Sequence, residues 1–318
     1  MSILKHLLSV LNVAKPKILD YISKAEAMKS IYETNPASLK TRLEGKVLVS
    51  VFYEPSTRTS CSFQSAMIKL GGNVISITDK YSSVEKGESL EDTIKTLNSY
   101  GDAIVIRHPL KGSSVQAAKV SDIPVINAGD GNGEHPTQAL LDIFTIKREL
   151  YKLNIGLDDD KREKINITFA GDLKNSRTIH SLIHILCLFP NITFIYVSPS
   201  GLEMPDEIKH IIKVFGKEQI ESKNLQEALQ ISDVVYMTRI QKERFTNEEE
   251  YKNIMKTNNY IIDDKMMHHA KEKMILMHPL PRLNEISPSV DKDLRAVYFE
   301  QVKNGVYMRM AILDDILN

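Results

Sequence analysis

The chain has 318 residues, enough for two domains of ordinary size, each with its own core. Its 41 lysines and arginines balance 41 acids, so no global charge draws it to nucleic acid or to a membrane surface, and any positive site must be a local concentration. No apolar run approaches a membrane span, and Cys61 and Cys187 lack metal or redox spacing, so both are expected as buried free thiols in a reducing compartment, taken as the cytoplasm.

Met1 to Val13 lacks a small-residue cleavage site and reads as a first helix or the lead-in to one. Lys17 to Tyr32 carries apolar residues at helical spacing, with Pro16 suited to its first turn. Lys46 to Tyr53 is a β-branched, apolar strand. It runs into Glu54-Pro55-Ser56-Thr57-Arg58-Thr59-Ser60, after which Phe63, Met67 and Leu70 mark a helix ended by Gly71-Gly72. Hydroxyls and a guanidinium are therefore gathered at a helix N-terminus, where backbone N–H groups lack partners and the dipole is positive. A phosphate fits such a place; a merely well-capped helix is the competing reading.

Asn73 to Thr78 is a second strand. Asp79 to Glu88 has no apolar period and exceeds the usual loop of about two to six residues, which marks it as functional or mobile. Ser89 caps the next helix, with Asp92 three residues on. Asp102 to Arg107 is a strand ending in Arg107-His108-Pro109, and Pro124 to Asn127 another, closed by the turn-rich run Gly129 to Gly133. His135-Pro136-Thr137-Gln138 then opens a long helix. Strands alternating with helices predict a parallel, doubly wound sheet. Arg58, Ser82 with Lys86, Arg107 and His135 all fall just beyond strands, where such sheets bind ligands.

The charged stretch Leu157 to Lys164 is the expected boundary, giving domains over 1–150 and 151–318. The second half repeats the α/β scheme. Ile165 to Ala170 is a strand, and Lys174 to Thr178 opens a helix through Leu188. Ile192 to Val197, Asp233 to Arg239 and Met274 to Met277 are strands, and Glu207 to Phe215 and Leu225 to Gln230 helices. Each domain is thus expected to hold a parallel sheet of about four strands flanked by helices. A C-terminal helix, Val302 to Leu317, is expected to pack back on the first domain. No dinucleotide fingerprint or P-loop follows any strand, so no cofactor is expected. His180 and His184 stand at i, i+4 without a third ligand, and they and His268-His269 read as ordinary helix-face histidines, with no metal.

Arg58, Arg107, Arg177 and Arg239 lie just beyond strands, joined by His135, Gln138 and Gln241. They suit one anionic ligand per domain, the first of phosphate character and the second a dicarboxylate held by forked hydrogen bonds. With no acidic metal cage or cysteine nucleophile beside them, they suit direct transfer by positioning and charge stabilisation.

Seven motifs stand in one order: F-Y-E-P-S-T-R-T-S from Phe52, K-G-E-S-L-E-D-T from Lys86, D-A-I-V-I-R-H-P from Asp102, H-P-T-Q-A-L-L-D from His135, G-D-L-K-N-S-R-T-I-H-S-L from Gly171, Y-M-T-R-I-Q-K-E-R-F from Tyr236 and H-P-L-P-R from His278. In them the chain resembles the aspartate/ornithine carbamoyltransferase family over nearly its whole length. Pro279 stands where ornithine enzymes typically carry a cysteine, which favours the aspartate branch. The resemblance implies a reaction of carbamoyl phosphate with L-aspartate in pyrimidine biosynthesis. It implies that Ser56, Thr57, Arg58 and Thr59 hold the phosphate and that Arg107 bridges phosphate and carbonyl. His135, acting as a neutral donor, and Thr59 would polarise the carbonyl, with Gln138 on the carbamoyl amide. Arg177, Arg239 and Gln241 would hold aspartate, and the backbone of Leu280 and Pro281 would line the carbamoyl pocket. It further implies a homotrimer in which Ser82 and Lys86 reach into a neighbour's site. Another amine acceptor, or a non-catalytic ligand-binding subunit on the same fold, is the alternative.

Overall fold

The computed structural model describes residues 5–78, 87–158, 164–242, 245, 247–257 and 260–318. The chain divides into two compact units, one of residues 1–144 with 302–318 and the other of residues 145–301. The charged stretch expected as a boundary lies mostly outside the described residues, and the division falls inside a helix, which no shift in composition marks.

In the first unit, α1 (Lys15–Thr34) precedes β1 (Val47–Phe52), α2 (Thr57–Lys69), β2 (Asn73–Thr78), α3 (Leu90–Leu97), β3 (Ala103–His108), α4 (Ser113–Val120), β4 (Val125–Asp130) and α5 (Pro136–Lys152). The strands form a wholly parallel sheet in the order β2-β1-β3-β4. Strand β1 is buried almost throughout, as a near-continuous apolar run covered on both faces should be, and β4 is buried at every position although it carries Asn127 and Asp130. Helix α2 buries Phe63, Ala66 and Met67, and Ile94 and Leu97 of α3 and Ala117 of α4 pack with Val49, Val51, Ile104 and Ile106 of the strands. Ser89 caps α3 by accepting from Asp92 N.

The N-terminal segment is a lead-in rather than a helix. Leu7 N–H donates to Val125 O and Leu7 O accepts from Asn127 N, both at 2.9 Å, so this segment covers the free edge of β4. A short 3-10 turn follows at Val10–Asn12.

In the second unit, β5 (Ile165–Ala170), α6 (Arg177–Leu186), β6 (Ile192–Val197), α7 (Asp206–Val214), β7 (Glu218–Ser222), α8 (Leu225–Ile231), β8 (Val234–Met237), α9 (Glu248–Thr257), α10 (Asp264–His269) and β9 (Ile275–Met277) follow in order. Their parallel sheet is ordered β7-β6-β5-β8-β9 and has five strands rather than about four. The extra strand is β7, Glu-Gln-Ile-Glu-Ser, an exposed edge whose polar sequence gives no apolar signal. The last helix, α11 (Tyr298–Leu317), starts one turn before the expected residue, and from residue 302 it counts with the first unit. Among the described residues no helix is long and apolar enough to cross a membrane. Cys187 is buried, but Cys61 is exposed: it falls off the Phe63–Met67 stripe of α2 that faces the core.

Candidate functional site

In the first sheet, β2 is added on one side of β1 and β3 on the other, so the chain switches direction at the C-terminal ends of β1 and β3. Such a switch point leaves a crevice between the loops that leave in opposite directions. Ser56 to Thr59 leave β1 there, and Arg107, in register with Phe52, is the last residue but one of β3. Ser56 is the N-cap residue of α2, and its carbonyl accepts from Ser60 N at 3.1 Å, yet its hydroxyl makes no capping bond. That removes the reading of this serine as a simple cap. Thr57 and Arg58 are exposed, whereas Thr59 is buried. Arg107 is drawn against its own chain, with Nη2 2.9 Å from Glu54 Oε2 and Nη1 donating to Ala128 O at 3.3 Å.

His135 precedes α5, its carbonyl accepting from Gln138 N at 3.0 Å and Ala139 N at 3.2 Å, and Pro136 sits where no N–H is needed. The loop before it is built on Asp130, which is buried. Oδ1 accepts from Glu134 N and Oδ2 from Gly112 N, both at 2.8 Å, and His108 pairs with Asp130 in register. The turns after β3 and β4 are thereby one assembly. Glu134 anchors it further, accepting from Ser9 Oγ and from Val10 N in the N-terminal segment. Burial raises the Glu134 carboxyl above its ordinary value against those hydrogen bonds. Gln138 donates its amide to Asp142 Oδ1 at 2.9 Å, one helical turn on.

In the second sheet, β5 leads outward to β6 and β7 before β8 is added on its other side, so the switch point lies at the ends of β5 and β8. Gly171 follows β5 with φ +106, and a Cβ there would stand 2.1 Å from Thr238 O, so only glycine lets the two strand ends approach. Asp172 is fully buried; it accepts from Asn175 N at 3.0 Å, from Asn175 Nδ2 and from Gln241 N at 3.4 Å. It thus ties the loop carrying Arg239 and Gln241 to the loop that opens α6 at Arg177. Burial raises the Asp172 carboxyl above its usual value, opposed by those hydrogen bonds. His180 donates from Nε2 to Leu173 O at 2.7 Å, and burial lowers both His180 and His184, which makes them neutral packing groups.

After β9, His278 fixes a turn. Leu280 N–H donates to His278 Nδ1 at 2.8 Å, so that nitrogen carries no proton, and Nε2 donates to Glu285 Oε1 at 2.8 Å. Glu285 also accepts from Leu283 N with both oxygens at 3.2 Å. Leu280 is left with φ +54 before a cis bond to Pro281.

Each unit thus gathers its own share of the expected residues at a switch point: Ser56, Thr57, Arg58, Thr59, Arg107, His135 and Gln138 in the first, and Arg177, Arg239 and Gln241 in the second. Leu280 and Pro281 follow β9, which pairs with β8. Ser82 and Lys86 lie outside the described residues.

A family model for the carbamoyl-phosphate-binding domain of aspartate/ornithine carbamoyltransferases matches residues 5–148, and its companion for the aspartate/ornithine-binding domain matches residues 163–316. The chain belongs to the aspartate/ornithine carbamoyltransferase family. It is similar to the aspartate carbamoyltransferase catalytic subunit of Clostridium perfringens, 49% identical over 288 residues that cover 89% of this chain and 90% of that protein. It is also similar to a multifunctional protein of Dictyostelium discoideum, 47% identical over 97% of this chain but only 13% of that much longer relative. Among solved structures it resembles aspartate transcarbamoylase of Trypanosoma cruzi in complex with carbamoyl phosphate and aspartate, with TM-score 0.90 and 40% identity over 99% of this chain and 97% of that one.

Within this carbamoyltransferase fold the expected residues rest on others that the sequence left unremarked: Glu54 under Arg107, Asp130 under the His135 loop, Asp142 under Gln138 and Asp172 under Gln241. Only Asp142 had a local signal, its i+4 spacing from Gln138. The others depend on which loops the sheet order brings together.

Proposed function

We propose that the chain transfers the carbamoyl group of carbamoyl phosphate to the amino group of L-aspartate, giving N-carbamoyl-L-aspartate and phosphate, a step of pyrimidine biosynthesis. The observation that carries this is the hydroxyl-rich N-terminus of α2, which bears Arg58 and leaves β1 at the switch point where β3 carries Arg107, in a unit whose family model is named for carbamoyl phosphate. Ser56, Thr57, Arg58 and Thr59 would hold the phosphate, and Arg107 would reach from phosphate to carbonyl. The aspartate nitrogen attacks the carbamoyl carbon, the carbon–oxygen bond to phosphorus breaks, and phosphate leaves with the electron pair. Negative charge grows on the carbonyl oxygen, where Thr59 and His135 are the donors; each fixed donor of this kind contributes about 3–4 kcal/mol. The amine proton passes to the departing phosphate, since no dedicated base stands among the assigned residues. Gln138, held by Asp142, takes the carbamoyl amide. Arg177, Arg239 and Gln241 take the two carboxylates of aspartate.

The same reading makes the working form a cytoplasmic homotrimer in which Ser82 and Lys86 complete a neighbour's site. The test is the product: the purified chain, given carbamoyl phosphate, should carbamoylate aspartate and leave ornithine untouched. Equal turnover of ornithine, or none of aspartate, would overturn it.

A further inference from the structure

Helix α11 carries a guanidinium with no place among the groups assigned so far. Arg309 is 3% exposed, although an arginine is costly to bury without a matched partner. Burial pulls its pKa down to about 10, opposed by the charge of Asp142, so it stays cationic at neutral pH. Its contacts join three helices. Nη1 donates to Ser62 Oγ of α2 at 3.0 Å and to Gly305 O of its own helix at 3.3 Å. Nη2 donates to Thr137 Oγ1 of α5 at 3.4 Å. The guanidinium carbon lies 4.9 Å from the Phe63 ring centre, over an aromatic face of α2.

The seat of this side chain is built for it. A Cβ on Gly305 would come within 2.8 Å of Arg309 Nη1 and 3.2 Å of Leu141 Cδ2, so glycine leaves the space in which α11 approaches α5 and the arginine fits. Ser62 lies one turn beyond Arg58 and Thr59, and Thr137 lies between His135 and Gln138. Asp142 is fully buried and is the group that orients the Gln138 amide.

We propose that Arg309 is a positioning residue: one buried guanidinium, shared by Ser62 and Thr137, fixes the N-termini of α2 and α5 in mutual register. It rests on the reading of those two termini as the carbamoyl phosphate site. A strut behind two donor-bearing helices holds their donors at the spacing that a phosphate and its carbonyl require, and geometry of this kind governs how well a transition state is matched. The aspartate groups of the other unit take no part in it.

The test uses the full chain as Arg309→Met and Arg309→Lys, and as Ser62→Ala with Thr137→Val, alone and combined with Arg309→Met. Each is assayed below its melting temperature, with the KM for carbamoyl phosphate and for aspartate measured separately. Arg309→Met should raise the KM for carbamoyl phosphate at least tenfold and lower kcat, with the KM for aspartate within twofold. Arg309→Lys keeps the charge without the fork and should recover only part of the loss. The hydroxyl pair should raise the same KM severalfold and add nothing on top of Arg309→Met, because all three act as one strut. A folded Arg309→Met with an unchanged KM for carbamoyl phosphate, an equal rise in both KM values, or additive effects would overturn the proposal. Should Arg309→Met fail to fold, the hydroxyl pair decides alone, and no change in its KM for carbamoyl phosphate is the overturning result. A wild-type chain that carbamoylates nothing would remove the site reading itself, and this proposal with it.

Discussion

An arginine in a loop can brace its own chain, hold a ligand or do both. Arg282 and Arg295 are of the bracing kind, forked onto Asp291 and Asp293. Their strong hydrogen bonds hold both carboxyls below the ordinary range, against a smaller effect of burial. Arg239 stands instead at the switch point of its sheet, two residues beyond β8 and two before Gln241, which Asp172 holds. Arg239→Ala should weaken aspartate, as read in its KM, by about 2–5 kcal/mol, the usual loss for one partner of a charged, desolvated pair. Carbamoyl phosphate binding, measured by titration calorimetry, should stay near wild type. An equal loss of both substrates would contradict the assignment of one ligand to each unit.

At the scale of elements, α11 is pinned to α1 through Asp315. Lys17 Nζ reaches its Oδ1 at 2.6 Å, Lys24 reaches the same oxygen, and Tyr21 OH donates to Oδ2 at 3.2 Å. Burial alone would raise this carboxyl, but the hydrogen bonds and charges of the two lysines outweigh it and leave it below the usual value. A depressed acid stabilises the fold above its unfolded value, about 3.9, and loses that contribution as the pH falls through its lower folded value. Asp315→Asn should therefore cost about 2 kcal/mol at neutral pH. In thermal melts the gap from wild type should close as the pH is lowered through the carboxylate range; a gap independent of pH would show that packing, not charge, is what the substitution removes. Most helices and the buried strands were legible in the sequence because they carry an apolar period or a continuous apolar run; α4 and α9 were not read from it. Strand β7 was not, since an exposed edge needs no apolar face. The strand-end positions of the arginines, hydroxyls and His135 were legible because the strands leading to them were, and strand ends are where a parallel sheet binds ligands. Glu54, Asp130 and Asp172 were not, because their partners are chosen by sheet order, and Arg309 meets Thr137 across a separation of 172 residues that no local pattern reports.

For the whole molecule, the proposed trimer makes a claim that one chain cannot satisfy. If Lys86 serves a neighbour's site and Arg58 its own, Arg58→Ala and Lys86→Ala chains are each inactive but complementary. Random mixing in a closed ring leaves roughly one site in four with both groups intact, so activity should rise toward roughly a quarter of wild type. Verified mixed trimers as inactive as their parents would place both residues in the service of one chain. The claim beneath all of this is direct transfer from phosphate to aspartate, and carbon-13 NMR reads it without a coupling enzyme. Wild-type chain is mixed with carbamoyl phosphate labelled at the carbonyl, aspartate and ornithine. The expected result is one labelled N-carbamoyl-L-aspartate for each phosphate released, with no labelled product on ornithine. Phosphate released without labelled carbamoyl-aspartate, or label transferred to ornithine instead, would contradict it.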